Sequence, residues 1–219
     1  EVLLHLGTAL AIVIYFRKDL KRYFDFKTSP GRNLLFLIVL GSIPAGLVGG
    51  IFSDVIEKLF ESVKTVSLFF IFNGLFLLST GFKKFSKEED QKEDPGEFTL
   101  GPFRAFLIGC AQAIAILPGI SRSGSTIGSG LFLDVSPEEA FRFSFLLALP
   151  AILGAALLEA RKGEITIGAN DILAFLASAI TGLFALVILR RAVVGEKLPY
   201  FGLYTLALGV LLLIWGVRG

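Results

Sequence analysis

The chain has 219 residues, 54% of them hydrophobic, with 22 Phe, no Met, one Cys and a mean hydropathy of +0.75. No single soluble core of this length hides that much apolar surface, so the composition excludes a water-soluble globular domain and points to an integral membrane protein. A formal net charge of only +2 gives no electrostatic case for a nucleic-acid partner, and the lone Cys110 excludes an intramolecular disulfide.

In chain order, six apolar stretches are predicted as helices long enough, or nearly so, to cross a hydrocarbon layer of about 30 Å. They cover residues 2–16, 34–52, 66–82, 143–158, 172–189 and 201–217. The first is short and follows Glu1 with no initiating Met, which predicts a start inside a longer protein. With links alternating between two sides, fourteen Lys and Arg within 17–32, 83–104 and 190–197 gather on one side. Lys58, Lys64, Arg161, Lys162 and Arg218 fall on the other. The positive-inside rule makes the richer side cytoplasmic and turns the C-terminus outward.

The chain also resembles itself. Ser42, Gly46 and Leu47 match Ser178, Gly182 and Leu183 at an offset of 136, and GLFLLSTG from Gly74 resembles GVLLLIWG from Gly209 at an offset of 135. Two copies of three crossings each, an odd number, must lie in opposite senses, which predicts an inverted repeat with binding near mid-membrane at a broken helix. The predicted division is a first repeat at 1–82, a solvated cytoplasmic linker at 83–99, and a second repeat at 100–219. The second copy contains a segment, 100–135, whose counterpart is expected before Glu1.

That segment is predicted to be a re-entrant hairpin. Residues 103–117 are apolar, Pro118 and Gly119 break the helix, a polar loop follows, and 127–133 is too short to cross. The returning helix is expected to begin near Ser123 or Ser125. Immediately after the hairpin, Ser136, Pro137 and Glu139 read as N-cap, first and third positions of the next helix.

The loop carries the chemistry. Polar residues at membrane depth are costly, and here Ser121, Arg122, Ser123, Gly124, Ser125 and Thr126 follow Gly119 in succession. A forked guanidinium, helix-terminal N–H groups and hydroxyls are strong neutral-pH partners for phosphate oxygens, so the segment reads as a phosphate cradle. It lacks the Lys-Ser/Thr ending of a nucleotide loop. The competing structural reading has Arg122 pairing with helix-end carbonyls and the small residues serving helix packing. Gln112 is a candidate to hydrogen-bond substrate or a metal-bound water, or else a packed polar residue. No acid lies within the motif: Glu1, Asp134, Glu138 and Glu139 are the nearest, and His5 is the one histidine.

Leu117 to Thr126, LPGISRSGST, preceded by Gly109, Cys110, Ala111 and Gln112, closely resembles the signature of undecaprenyl-diphosphate phosphatases of the bacitracin-resistance (BacA/UppP) family. Residues 1–10 and 143–150 are similar to its helices as well. The resemblance implies a bacterial inner-membrane enzyme that removes the terminal phosphate of undecaprenyl diphosphate, with two inverted repeats and a site opening outward. By motif position, Ser121, Arg122, Ser123 and Thr126 carry over as diphosphate-binding or catalytic residues. Gly119, Gly124, Ser125 and Gln112 complete the expected substrate contacts. A divalent cation, Mg2+ or Ca2+, is implied, with ligands mainly in a first hairpin expected before Glu1; no metal ligand is assigned within the chain. The expected partners are the polyprenyl diphosphate and the bilayer, with a homodimer left open. The other class considered is a polyprenyl-phosphate flippase or secondary transporter, since inverted repeats are common in carriers.

Overall fold

In the computed structural model, residues 2–23, 29–83, 98–161 and 168–218 are described; Glu1 and nearly all of the predicted linker, 84–97, lie outside them. Among the described residues every regular element is helical. The order is α1 Val2–Tyr15, α2 Arg17–Tyr23, α3 Ser29–Ile51, α4 Ser53–Phe60 and α5 Val63–Ser79, which tightens into a 3-10 turn at Thr80–Phe82. Then come α6 Pro102–Ile114, α7 Arg122–Phe132, α8 Pro137–Arg161, α9 Ala169–Val194 and α10 Leu198–Arg218.

Among the described residues, five windows are long and apolar enough to span a bilayer: Arg32–Ile51, Val63–Phe82, Pro137–Leu158, Asn170–Val194 and Leu198–Gly216. The chain is therefore an all-α, multi-pass membrane protein. Of the six expected crossings, the first, α1, has 14 residues and at 1.5 Å per residue reaches only about 21 Å. Helices α2 and α4, of seven and eight residues, were not anticipated in the links.

The core is built around α8. Phe141, Phe143, Leu146 and Leu147 are buried there, with Ile12 and Phe16 from the α1 side and Ile108 and Ile127 from α6 and α7. Ile172, Leu176, Ile180, Phe184 and Ile188 on α9 are exposed, the state expected of a helix bathed in lipid.

Glycines let backbones touch where helices cross, as at the α5–α10 and α3–α6 crossings. Helices α5 and α10 run antiparallel, with Gly74 against Leu206 and Gly209 against Ile71; a Cβ would come within 2.6 Å and 2.8 Å of the facing backbone nitrogens. At the α3–α6 crossing, a Cβ on Gly109 would lie 2.1 Å from the Gly41 carbonyl oxygen.

Among the described residues, ion pairs gather the charged links at one end. Lys83 pairs with Asp134, Arg142 with Asp19 at 2.7 Å, and Arg190 with Glu138 at 2.9 Å. The end of α5, α2, the α7–α8 turn and the end of α9 thus share one side, as the charge pattern predicted. The start of α8 also follows the prediction: Pro137 is its first residue and Ser136 Oγ accepts the Glu139 N–H at 3.3 Å. The Glu139 carboxylate also accepts the Leu100 N–H at 2.8 Å and the Thr99 hydroxyl at 2.7 Å, which anchors the chain leading into α6.

Candidate anion-binding site

Helices α6 and α7 pack against each other as the arms of the predicted hairpin. The break comes earlier than Pro118. Helix α6 ends at Ile114, and tight turns follow, with Ile116 N–H bonded to Ala113 O and Leu117 N–H to Ile114 O. Gly119 forms the tip with φ +91°, and a Cβ there would stand 2.8 Å from the Val66 carbonyl oxygen. Both facts call for glycine. The mouth of the hairpin lies beside Lys83 at the end of α5 and its tip beside Val66 near the start, so the hairpin runs along most of that spanning helix.

Helix α7 begins at Arg122, ahead of the expected Ser123 or Ser125, because Ser121 is the serine that caps it. Its Oγ accepts the Gly124 N–H at 3.1 Å and its carbonyl accepts the Ser125 N–H at 2.8 Å. Among the described residues, the Arg122 and Ser123 N–H groups are left without partners in the first turn, facing outward along the helix axis where anions bind.

Ser121 to Thr126 are gathered at the start of this one short helix, with Gly119 at the hairpin tip and Gln112 on α6, but they do not converge on a point. Ser121, Ser123 and Gly124 line a cleft of about 330 Å³ walled by Leu77, Ala185, Ile188, Leu189, Leu198 and Phe201. Ser125 turns to a smaller crevice of about 90 Å³ with Asn73 and Phe76. Thr126 is fully buried, its hydroxyl bonded to the Arg122 carbonyl at 2.9 Å and to the Ser144 hydroxyl at 2.6 Å. Arg122 is half-buried with its guanidinium 6.0 Å from the Phe145 ring centre, and its Nη1 is buried with no hydrogen-bond partner among the described residues. Gln112 is 2% exposed and neither polar atom of its side chain has a described partner. Ile108 lies against Gly130, so Gln112, a turn further along α6, sits at about the level of Thr126.

Orphaned buried donors of this kind each cost about 1–3 kcal/mol, so a guanidinium nitrogen and a carboxamide left open beside a helix N-terminus are a site built for something polar. The carboxylates are elsewhere. Asp134, Glu138 and Glu139 sit at the hairpin mouth, engaged by Lys83, by Arg190, and by Leu100 and Thr99. His5 is exposed on α1. Among the described residues no three His, Cys, Asp or Glu side chains come together to hold a metal ion. These residues alone do not fit a divalent cation. Asn73, Ser144 and Phe145 join the site from outside the motif; the sequence signals them only through a lone Asn in the apolar run of α5 and the resemblance over 143–150.

The fold and the site define a class: a multi-pass helical membrane protein in which a helical hairpin presents a hydroxyl-bearing helix start to an apolar cleft, with Arg122 beside it over Phe145. Residues 1–211 match the family model described as bacitracin resistance protein BacA, and the chain belongs to that family. A relative named undecaprenyl-diphosphatase from Methanothermobacter thermautotrophicus is 41% identical over 183 residues, covering 81% of this chain and 97% of the relative. Undecaprenyl-diphosphatase 2 of Oenococcus oeni is 43% identical over 165 residues, 74% of this chain and 58% of its own length. The undecaprenyl-diphosphatase of Elusimicrobium minutum is 37% identical over 223 residues, with 98% and 81% covered.

Proposed function

We propose that this protein is an undecaprenyl-diphosphate phosphatase, which converts undecaprenyl diphosphate to undecaprenyl phosphate and inorganic phosphate. That reaction recycles the lipid carrier of cell-wall synthesis and confers bacitracin resistance. The observation that carries the proposal is the polarity of the cleft. One end is Ser121, Ser123 and the start of α7; the remaining wall, Leu77, Ala185, Ile188, Leu189, Leu198 and Phe201, is apolar. A diphosphate headgroup on a hydrocarbon tail has the same two-part chemistry. The cleft volume holds about ten carbon-sized atoms at the roughly 30 Å³ that a water occupies in the liquid, so it takes the tail's first units and leaves the rest in lipid.

In the mechanism we propose, the Arg122 guanidinium and the Arg122 and Ser123 N–H groups grip the diphosphate and stabilise the charge that builds as the bond to the terminal phosphorus breaks. The attacking oxygen comes from a serine of the motif or from water. The Ser121 hydroxyl is already occupied as a cap, which leaves Ser123 the freer of the two serines on the cleft. Gly119 and Gly124 let the loop approach closely, while Ser125, Thr126 and Gln112 support it. A divalent cation, Mg2+ or Ca2+, belongs to the proposal through ligands outside the described residues.

The division into repeats at 1–82 and 100–219 about a linker at 83–99 is part of the same reading. It is supported by reciprocity at the α5–α10 seam: the 135-residue offset that relates Gly74 to Gly209 also relates Ile71 to Leu206, and each glycine meets the other pair's partner across an antiparallel crossing. We place the protein in the cell's inner membrane, with the cation-rich side cytoplasmic and the hairpin tip toward the outer face. A homodimer is a further element, checked by the particle's mass in detergent.

The test is phosphate release from undecaprenyl diphosphate by the purified protein in detergent, where no gradient exists. A phosphatase turns over there, whereas a carrier does nothing measurable. Arg122→Ala should cut turnover by about a hundredfold or more; near-normal turnover would remove Arg122 from the mechanism.

A further inference from the structure

The contact that sets the cradle comes from outside the hairpin. Asn73 sits midway along α5, 1% exposed in an otherwise apolar stretch. Its Oδ1 accepts the Ser121 N–H at 3.1 Å, and its Nδ2 donates to Thr205 Oγ1 on α10 at 3.5 Å. The Thr205 hydroxyl directs its own proton to the carbonyls of Phe201 and Gly202, at 3.1 Å and 3.2 Å, so it faces the amide as an acceptor. That fixes the amide's direction, with NH2 toward α10 and oxygen toward the loop.

The consequence lies in the competition among caps. Ser121, Ser123 and Ser125 are all cap-competent residues, and a helix starting at either later serine would fold Arg122 N–H and Ser123 N–H back into the loop. Holding the Ser121 N–H from α5 anchors Ser121 outside the helix and leaves those two donors at its open end. We propose that Asn73 is a positioning residue for diphosphate recognition: by taking the Ser121 N–H it sets where α7 begins, and so aims the Arg122 and Ser123 N–H groups at the substrate. Thr205 orients Asn73 from the neighbouring helix. The inference rests on the phosphatase reading above.

The test uses the purified protein and three variants, Asn73→Leu, Asn73→Asp and Thr205→Val. Three quantities are measured: KM and kcat for phosphate release from undecaprenyl diphosphate, calorimetric affinity for inorganic diphosphate, and melting temperature in detergent. Asn73→Leu should weaken diphosphate binding and raise KM by about tenfold, the scale of one lost buried hydrogen bond. Thr205→Val should shift both the same way by less. Asn73→Asp keeps an acceptor for Ser121 but sets a carboxylate beside an anionic ligand. It should melt closer to the parent than Asn73→Leu does, yet bind diphosphate no better. A purely structural role predicts instead that folded variants bind normally and that activity follows the folded fraction, and that result would overturn the proposal. If Asn73→Leu does not fold, unchanged KM and affinity in the other two variants overturn it equally. A parent protein that binds diphosphate but releases no phosphate defeats the phosphatase reading while binding still decides the role of Asn73. A parent that binds no diphosphate defeats both.

Discussion

Thr126 and Ser144 share a 2.6 Å contact with no exposure to solvent or lipid, and the Thr126 hydroxyl also donates to the Arg122 carbonyl at 2.9 Å. Removing the Thr126 hydroxyl takes this partner from Ser144 in a dry site, at a cost of about 1–3 kcal/mol, whereas removing Ser144 leaves Thr126 still bonded to Arg122 and costs less. Thr126→Val and Ser144→Ala should therefore each lower the melting temperature, and the double variant should lose clearly less than the sum of the two. A double-mutant cycle measured by thermal unfolding in detergent checks this; strict additivity would mean the two hydroxyls do not depend on each other. The pair also shows how an expected ligand contact finds its place in the structure. Thr126 carries a hydroxyl at the motif's end, but it meets α8 because it lies a full turn below the helix start, on the side facing the core.

The hairpin is held differently at its two ends. Its tip is fixed by sterics at Gly119 and by one amide, its mouth by charge. Hydrogen bonding from Lys83, and then the charge of Lys83, hold the exposed Asp134 carboxyl below the usual carboxylate range. A carboxyl with a lowered folded-state pKa stabilises the fold at neutral pH, and that contribution disappears as acid protonates it below its ordinary value. The group is fully exposed, so the effect is small. Asp134→Asn should melt slightly lower than the parent near pH 7, and the two melting curves should merge in acid. A difference that persists unchanged at low pH would mean that the pair contributes nothing through charge.

At the scale of the whole molecule, the side assignment predicts that Ser62→Cys, in the link before α5, reacts with a membrane-impermeant thiol reagent from outside intact cells. Glu196→Cys, in the turn before α10, should react only after the cells are opened. The reverse pattern would invert the topology. Class and membrane character were legible because they are carried by composition and by long apolar runs, which no local contact can alter. The motif was legible because its residues are contiguous. What the letters left open depended on tertiary contacts: the choice of Ser121 over Ser123 and Ser125 as cap is made by Asn73, forty-eight positions earlier. The scatter of Ser123, Ser125 and Thr126 around α7 follows from the helix itself, since successive residues are turned by about 100° and cannot all face one ligand. Helices α2 and α4 went unseen because seven or eight residues hold too little periodicity to register.

The α5–α10 seam bears on the carrier alternative. Alternating access requires one bundle to rock against the other about a fixed site, and that motion needs an interface of side chains that can slide or re-register. Here α5 and α10 meet main chain against main chain at Gly74 and Gly209, while elsewhere Ile12 and Phe16 interlock with Phe141 and Leu147 through their side chains. A crossing packed that closely leaves little room for α5 and α10 to slide past each other, which suits holding a headgroup still while a bond is cut better than passing it from one face of the membrane to the other.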